Sequence, residues 1–366
     1  MTSYLINEVI NMFAVWLGEF RVMEKKVEQN LLITAANKRL WNTFESMLKN
    51  TSKYNINEQD KDGNTTLHLL VQENQTKYLN QVLNKGANVD IKNKKNNTPM
   101  DLAFERDNVD VVKILMDSSS LGWEQSIKAK DMLSEAIAKG KPELATYFVQ
   151  KITNLEKCLV IHKCVEHNQI DILKVMLGEK KFEVNARNKD GHTPLQLAVV
   201  KGYKLMIDIL IKHGADVEVV DHKKRNLLHL ALLHQQTDTA MYLVEMGGDI
   251  DQQDEEGSTC LHLAIESNYI RLVRLLINSG CNARIADHDD YLPIHVMVCN
   301  KRFNIILWDV IEKTGNVNAQ NCNGDTPLHC AFIAGNFDAV KILLKKGADP
   351  SILNNVKQPY TFDECM

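Results

Sequence analysis

Twelve histidines and eight cysteines are the side chains of this chain with the widest chemical reach. Neutral imidazoles and thiolates bind zinc, and a thiol beside an imidazole can serve as a nucleophile. His288, His295, Cys299 and Cys281 come nearest to a metal cluster. Their spacing follows no zinc pattern: there is no CxxC pair, His288 is expected in a turn, and His295 opens a helical run. A Cys–His nucleophile also needs a group that orients the base and a donor for the oxyanion, and nothing singles out such a set. No glycine-rich loop of the phosphate-cradling kind occurs, because the 17 glycines sit mainly at or beside turns. The expectation is a chain with no catalytic residues, no bound metal and no cofactor.

The histidines are ordered in another way. Counting back from His329, one slot recurs at His295, His262, His229, Gln196, His162, Ser134, Asp101, His68 and, loosely, Ile33. The intervals are 34, 33, 33, 33, 34, 28, 33, 33 and 35 residues, so the chain is an array with a period near 33. Around the slot the text reads TTLH (65–68), TPMD (98–101), TPLQ (193–196), NLLH (226–229), TCLH (259–262), LPIH (292–295) and TPLH (326–329). An apolar run follows, as in VRLLI (273–277) and VKILL (340–344), and then Gly-Ala-Asp or a variant such as GGD (247–249) or GCN (280–282).

Local physics turns this text into elements. Thr326 is a good helix N-cap, and Pro327 fits the first helical position, where no amide hydrogen is needed. Gly335 divides two short helical patterns, and Gly347 ends the second. The Asp-x-x-Asn/Asp-x-x-Gly stretch that follows carries turn chemistry. Neither helix can bury Leu328, Ala331, Val340 or Leu343 by itself, so the core must form between successive units.

This pattern resembles the ankyrin repeat over roughly residues 28–354. The resemblance implies an all-α solenoid of helix-turn-helix units joined by hairpin loops, in which the slot histidine bonds to backbone and ties neighbours together. Ten units are expected: 28–60, 61–93, 94–117, 118–154, 158–188, 189–221, 222–254, 255–287, 288–321 and 322–354. The region 118–157 is degenerate, because its hairpin signals are missing. Residues 355–366 read as a C-terminal cap. In residues 1–27, Leu5, Val9, Phe13, Trp16 and Phe20 recur at helical spacing, which predicts an amphipathic helix that caps the array, docks to a partner or touches a membrane surface.

Apolar residues are 44%, charged residues 25% and the net charge −4, which fits a soluble fold and argues against a general nucleic-acid binder. No run of 18 apolar residues occurs. Cys164, Cys260 and Cys330 occupy or adjoin small-residue slots, so reduced thiols in the cytoplasm, or the nucleus, are expected. The sequons at Asn50, Asn64 and Asn74 are read as accidental in an asparagine-rich chain.

The family resemblance places binding on the hairpin tips, here called fingers, and on the ends of the first helices. Those slots hold Lys94 and Lys95, then Lys223 and Arg225, then Glu255, Glu256, Ser258, Glu266 and Ser267, then His288, Asp289, Asp290 and Tyr291. The expected function is a monomeric, non-enzymatic scaffold that binds protein, with a basic or mixed-charge segment as partner. The alternative is the ankyrin portion of a membrane-associated protein of channel or toxin kind. The resemblance also implies that Asn185 and Asn318, in V-N-A contexts, can be hydroxylated by an oxygen-dependent enzyme. Leu177 stands eight before Asn185, whereas Asn318 has Val310 there.

The phase has a direct test. Leu261→Ala should open a cavity between units and cost about 2–5 kcal/mol in a denaturant titration. A loss below about 0.5 kcal/mol, the size of an ordinary surface change, would show that the phase is wrong.

Overall fold

A computed structural model describes the backbone of residues 31–49, 54–118, 127–152, 157–178, 182–314 and 316–356. Residues 1–30, with the expected N-terminal helix, and residues 357–366 of the tail lie outside it. The chain divides into two compact units, Met1–Leu155 and Glu156–Met366. The division falls where the 33-residue period is broken.

The first unit contains α1 (Leu31–Asn37), α2 (Trp41–Leu48), α3 (Thr66–Gln72), α4 (Thr76–Asn84), α5 (Pro99–Glu105), α6 (Val109–Asp117), α7 (Ile127–Ala138) and α8 (Pro142–Lys151). The second contains α9 (Lys157–Glu166), α10 (Ile170–Gly178), α11 (Pro194–Lys201), α12 (Lys204–Lys212), α13 (Leu227–Leu233), α14 (Thr237–Glu245), α15 (Cys260–Glu266), α16 (Ile270–Asn278), α17 (Pro293–Val298), α18 (Asn304–Thr314), α19 (Pro327–Ile333) and α20 (Phe337–Lys345). A short 3₁₀ turn, Lys301–Phe303, precedes α18. Odd-numbered helices are the first of each repeat and even-numbered helices the second. In the second unit, α9, α11, α13, α15, α17 and α19 pack in one row, each on its neighbour.

Each first helix is too short to be stable alone. Its start is therefore heavily capped. Thr65 N–H and hydroxyl both point at Nδ1 of His68, at 3.1 and 2.8 Å. Thr259 with His262 and Thr326 with His329 repeat the arrangement. Because Nδ1 accepts, the proton sits on Nε2. Nε2–H then donates to a carbonyl of the next repeat: His68 to Asn97 at 3.0 Å, His262 to Tyr291 at 3.0 Å, and His295 to Ala319 at 3.0 Å. One neutral ring thus closes a helix start and links two repeats. This confirms the structural role expected of the slot, and it leaves His295 no lone pair for a metal. His229 differs, since its cap is Asn226 and its ring faces oxygen acceptors on both sides.

In most repeats the turn between the two helices uses a left-handed residue. Asn74, Asp107, Asn168, Gln235 and Asn268 supply it as well as Gly140 and Gly335, mostly from the polar types that tolerate the conformation. The core forms between repeats. Leu67, Leu70, Leu79 and Val82 are fully buried in one repeat, and Leu272, Val273 and Leu276 are equally sealed in another. Leu261 is 1% exposed, as its phase requires.

The degenerate repeat at 118–154 is attached to its predecessor by other means. Lys141 reaches the carbonyls of Phe104 and Glu105 at the end of α5, and its ammonium lies 4.8 Å from the centre of the Phe104 ring. A cation there offsets the exposed carbonyl end of a helix. Phe104 and Phe148 pack ring to ring, 6.3 Å apart.

Burial lowers the pKa of His68, His262 and His295 below the ordinary histidine value. Below about pH 6.5 the unfolded chain takes protons that the folded chain refuses, so stability present near neutrality is lost as pH falls. The urea midpoint should be lower at pH 5.5 than at pH 7.5. His262→Gln should keep the cap yet flatten that dependence, and an unchanged midpoint across the range would refute the protonation link.

Candidate functional site

The fingers are built from one repeated device. An Asp or Asn accepts, through Oδ1, the amides two and four residues later. Asp254 takes Glu256 and Ser258 at 3.1 and 2.8 Å, and Asp287 takes Asp289 and Tyr291 at 3.0 and 2.8 Å. Asp60, Asn93, Asn188, Asp221 and Asn321 do the same. The third residue after it is left-handed. Gly257 fills that position where the backbone of His288 lies close, and a Cβ there would sit 2.8 Å from His288 N. Asp290 and Lys224 hold the same conformation at cost.

Adjacent fingers are joined by backbone. Glu255 N–H donates to Lys223 O at 2.9 Å, His288 to Glu256 at 3.0 Å, Cys322 to Asp289 at 3.1 Å, and Asn355 to Asn323 at 3.0 Å. The last bond shows residues up to Val356 continuing the finger pattern. Gln59, Gln253 and Gln320 add a strap: each Nε2 bonds its own finger and a carbonyl 33 residues on. Arg187 does this with two guanidinium nitrogens. The hairpin asparagines complete the joint. Asn185 donates to Gly214 O and accepts from Asp216 N–H, as Asn318 does with Gly347 and Asp349. Both ends of each side-chain amide are thus engaged.

This framework sorts the expected binding residues. Asp254 is buried inside its finger and is not a surface charge. Lys223 spans to the next finger and meets Glu255 at 2.6 Å and Glu256 at 3.8 Å. The basic and acidic fingers are therefore one mixed-charge strip, in which Glu255 is largely answered by Lys223. Arg225 is turned inward on Asp221, with contacts of 2.8 and 2.7 Å. Burial raises the Asp221 carboxyl, but this pair and the finger amides outweigh it and hold the group below its usual value. Arg225 braces its finger.

What remains exposed is Glu256, His288, Asp289, Asp290, Glu266 and Ser267. Glu266, at the end of α15, has its carboxyl raised by burial and by the charges of Asp287 and Asp254. That repulsion reports that the end of the first helix faces the acidic fingers. Tyr291 is half-buried. Its ring packs edge-on against His295 at 5.9 Å, and its hydroxyl accepts from Asn323 at 3.4 Å. Ser258 gives its carbonyl to His229. Lys94 and Lys95 are exposed on a finger of the first unit, Lys94 through its side chain while its amide donates to Asp62.

Among the described residues, no group of three or more His, Cys, Asp and Glu side chains could hold a metal ion. Burial pushes the thiols of Cys164 and Cys281 up to about 12, and raises Cys260 as well, so these are packing groups.

One joint, between repeats 189–221 and 222–254, departs from the others. Gln196 replaces histidine; its Oε1 accepts the Thr193 amide, but its buried Nε2 has no acceptor among the described residues. Gly191 has no neighbouring backbone against it, unlike Gly63, Gly257 and Gly324. Second helices α12 and α14 pack less closely than α14 on α16, although Tyr242 bonds Asp208 across the gap. A cleft of about 700 Å³ opens there, lined by Val217, Val220, Leu227, Leu243 and Met246. The Gln196 substitution is its visible sequence signal; the cleft has none.

Comparison with known proteins follows the same lines. A family model described as ankyrin repeats (3 copies) matches residues 31–131, 133–221, 206–287 and 272–354. The chain is 24% identical over 320 residues to alpha-latroinsectotoxin-Lt1a of Latrodectus tredecimguttatus, covering 86% of this chain and 21% of that protein. It is 24% identical over 341 residues to transient receptor potential cation channel subfamily A member 1 of Homo sapiens, covering 87% of this chain and 28% of the channel protein. With neurogenic locus notch homolog protein 1 of Homo sapiens it shares 30% over 196 residues, which is 50% of this chain and 8% of that one. The chain spans less than a third of the length of each of these relatives.

The Gln196 joint can be repaired by one change. Gln196→His should place an Nε2–H donor toward Arg225 O, the carbonyl equivalent to Asn97 and Ser258. A gain of about 0.5–1.5 kcal/mol is expected for one added hydrogen bond, read as a higher urea midpoint. A neutral or destabilised variant would mean that the joint is held open by packing and not by the missing donor.

Proposed function

The chain belongs to the ankyrin-repeat family, and from that premise we propose that it is a protein-binding module without catalytic activity. Ankyrin repeats imply protein–protein interaction. The finer reading concerns the surface used: the strip from Lys223 through Glu256 and Glu266 to Asp289, Asp290 and Tyr291. The observation that carries it is that the exposed acids Glu256, Asp289 and Asp290 stand on adjoining fingers tied by backbone, His288 to Glu256 at 3.0 Å and Cys322 to Asp289 at 3.1 Å, with Glu266, raised by burial and then by Asp287 and Asp254, beside them. Carboxylates gathered in this way focus a negative potential and speed the approach of a basic partner. Lys223 within the strip favours a segment of mixed charge, since an acidic side chain on the partner can compete for it. Exposed pairs contribute only about 0–1 kcal/mol each, so the charges set approach and selection while the half-exposed Tyr291 ring carries affinity. The partner meets the chain in the cytoplasm or nucleus, where small-slot thiols stay reduced.

A second reading comes from the names of two relatives, a toxin and a cation channel. In that reading the chain is the ankyrin portion of a membrane-associated assembly, and residues 1–27 contact a membrane or a partner helix. Co-sedimentation with liposomes, comparing the full chain with one lacking residues 1–27, separates the two.

The first reading makes separable kinetic demands on a partner obtained by affinity pull-down and mass spectrometry. Reversing Glu256, Asp289 and Asp290 to Lys should slow association about tenfold at low salt and flatten its salt dependence. Tyr291→Ala should mainly speed dissociation. Unchanged kinetics in both variants would move the binding surface elsewhere, with the Lys94–Lys95 finger as the next site to test.

A further inference from the structure

Cys299 stands apart from the other thiols. It caps the C-terminal end of α17 and is exposed. Its Sγ lies 3.3 Å from its own helix carbonyl at His295 and 3.8 Å from the carbonyl of Cys330. Cys330 is in the first turn of α19, in the next repeat, and is 8% exposed. The Cys299 thiol thus touches the Cys330 residue across the repeat joint. One thiol open to solvent and one sheltered beside it is the arrangement of an attacking and a resolving cysteine.

We propose that Cys299 and Cys330 are a peroxide-oxidised pair that forms a reversible disulfide between repeats 288–321 and 322–354. Burial and the Cys299 contact raise the Cys330 thiol, and Cys299 is the thiol that peroxide reaches from solvent. Cys299 is therefore the nucleophile. Its thiolate attacks one oxygen of hydrogen peroxide; the O–O bond breaks, and hydroxide leaves and takes up the proton that Cys299 had released. The product is a sulfenic acid. Cys330 then gives its proton to the departing hydroxyl and attacks the Cys299 sulfur. An S–S bond forms, the S–O bond breaks, and water leaves. Two thiols are oxidised and one peroxide is reduced to two waters. A dithiol such as dithiothreitol reverses the step by exchange.

The bond would tie α17 to α19 across the joint between repeats 288–321 and 322–354. A cross-link of this kind removes freedom from the joint.

The full chain, reduced and then treated with hydrogen peroxide, tests the proposal by intact mass and peptide mapping. The expected product has lost two hydrogen atoms, yields a peptide linking Cys299 to Cys330, and returns to the dithiol with dithiothreitol. Amides of α17 and α19 should exchange more slowly in the oxidised form. Cys330→Ser should instead accumulate a Cys299 sulfenic acid that dimedone traps, and Cys322→Ser should leave the wild-type link unchanged. The proposal fails if wild-type Cys299 is untouched, if it proceeds to sulfinic acid without a link, or if the links scatter over Cys260, Cys281 and Cys322.

Discussion

Much of this array depends on the neutral imidazole that six of its ten repeats carry at one slot. The ring must accept at Nδ1 to close a helix of about two turns, and it must donate at Nε2 to reach the following repeat. His68, His262 and His295 meet both demands at distances of 2.8–3.2 Å. Buried polar groups left unpaired are costly, so a replacement has to satisfy the same cap, as Asp101 does with Thr98. Gln196 shows what a substitute can keep and what it loses: the cap survives, and the link to the next repeat does not. The neighbouring second helices spread where that link is missing, which illustrates how a stack held by nearest-neighbour contacts concentrates its weaknesses.

The same economy governs the fingers. A carboxylate or amide inside each turn satisfies two backbone donors, and the turn then offers one amide and one carbonyl to its neighbours. Acidic residues therefore serve two ends that look identical in the chain. Asp254 and Asp287 are acceptors for their own turns, whereas Glu256, Asp289 and Asp290 project from the tips. The inward acids still act on the surface, because after burial it is their charge that raises the Glu266 carboxyl.

Charge along the fingers also pairs across repeats. Lys223 stands one repeat before Glu255 and Glu256, and stacking places the three together. What the chain presents as a basic finger followed by an acidic one is a single strip in which Lys223 reaches into the acids. In the proposed reading such a strip selects by pattern more than by net charge, since a partner of uniformly positive charge meets Lys223 unfavourably.

The family, the helix pairs and the buried slots were legible in the chain because they follow from period and local chemistry. A histidine three residues after threonine, proline at the first helical position and glycine after the second helix each act within a few residues of themselves. Leu261 and its equivalents needed only the phase. Arg225 and Lys223 were not legible, because whether a long side chain turns inward to Asp221 or across to Glu255 depends on where neighbouring fingers come to rest. Tyr291 was recognised as an aromatic among charges, but its packing on His295 and its bond from Asn323 belong to the stack. Cys299 and Cys330 are 31 residues apart, and only the superposition of one repeat on the next brings them into contact. The sequence by itself determined the repeat, its caps and its core, since those are set by interactions short in sequence. The tertiary structure alone decided which polar groups are spent on holding repeats together and which are left for a partner, since that division is made between residues one whole repeat apart.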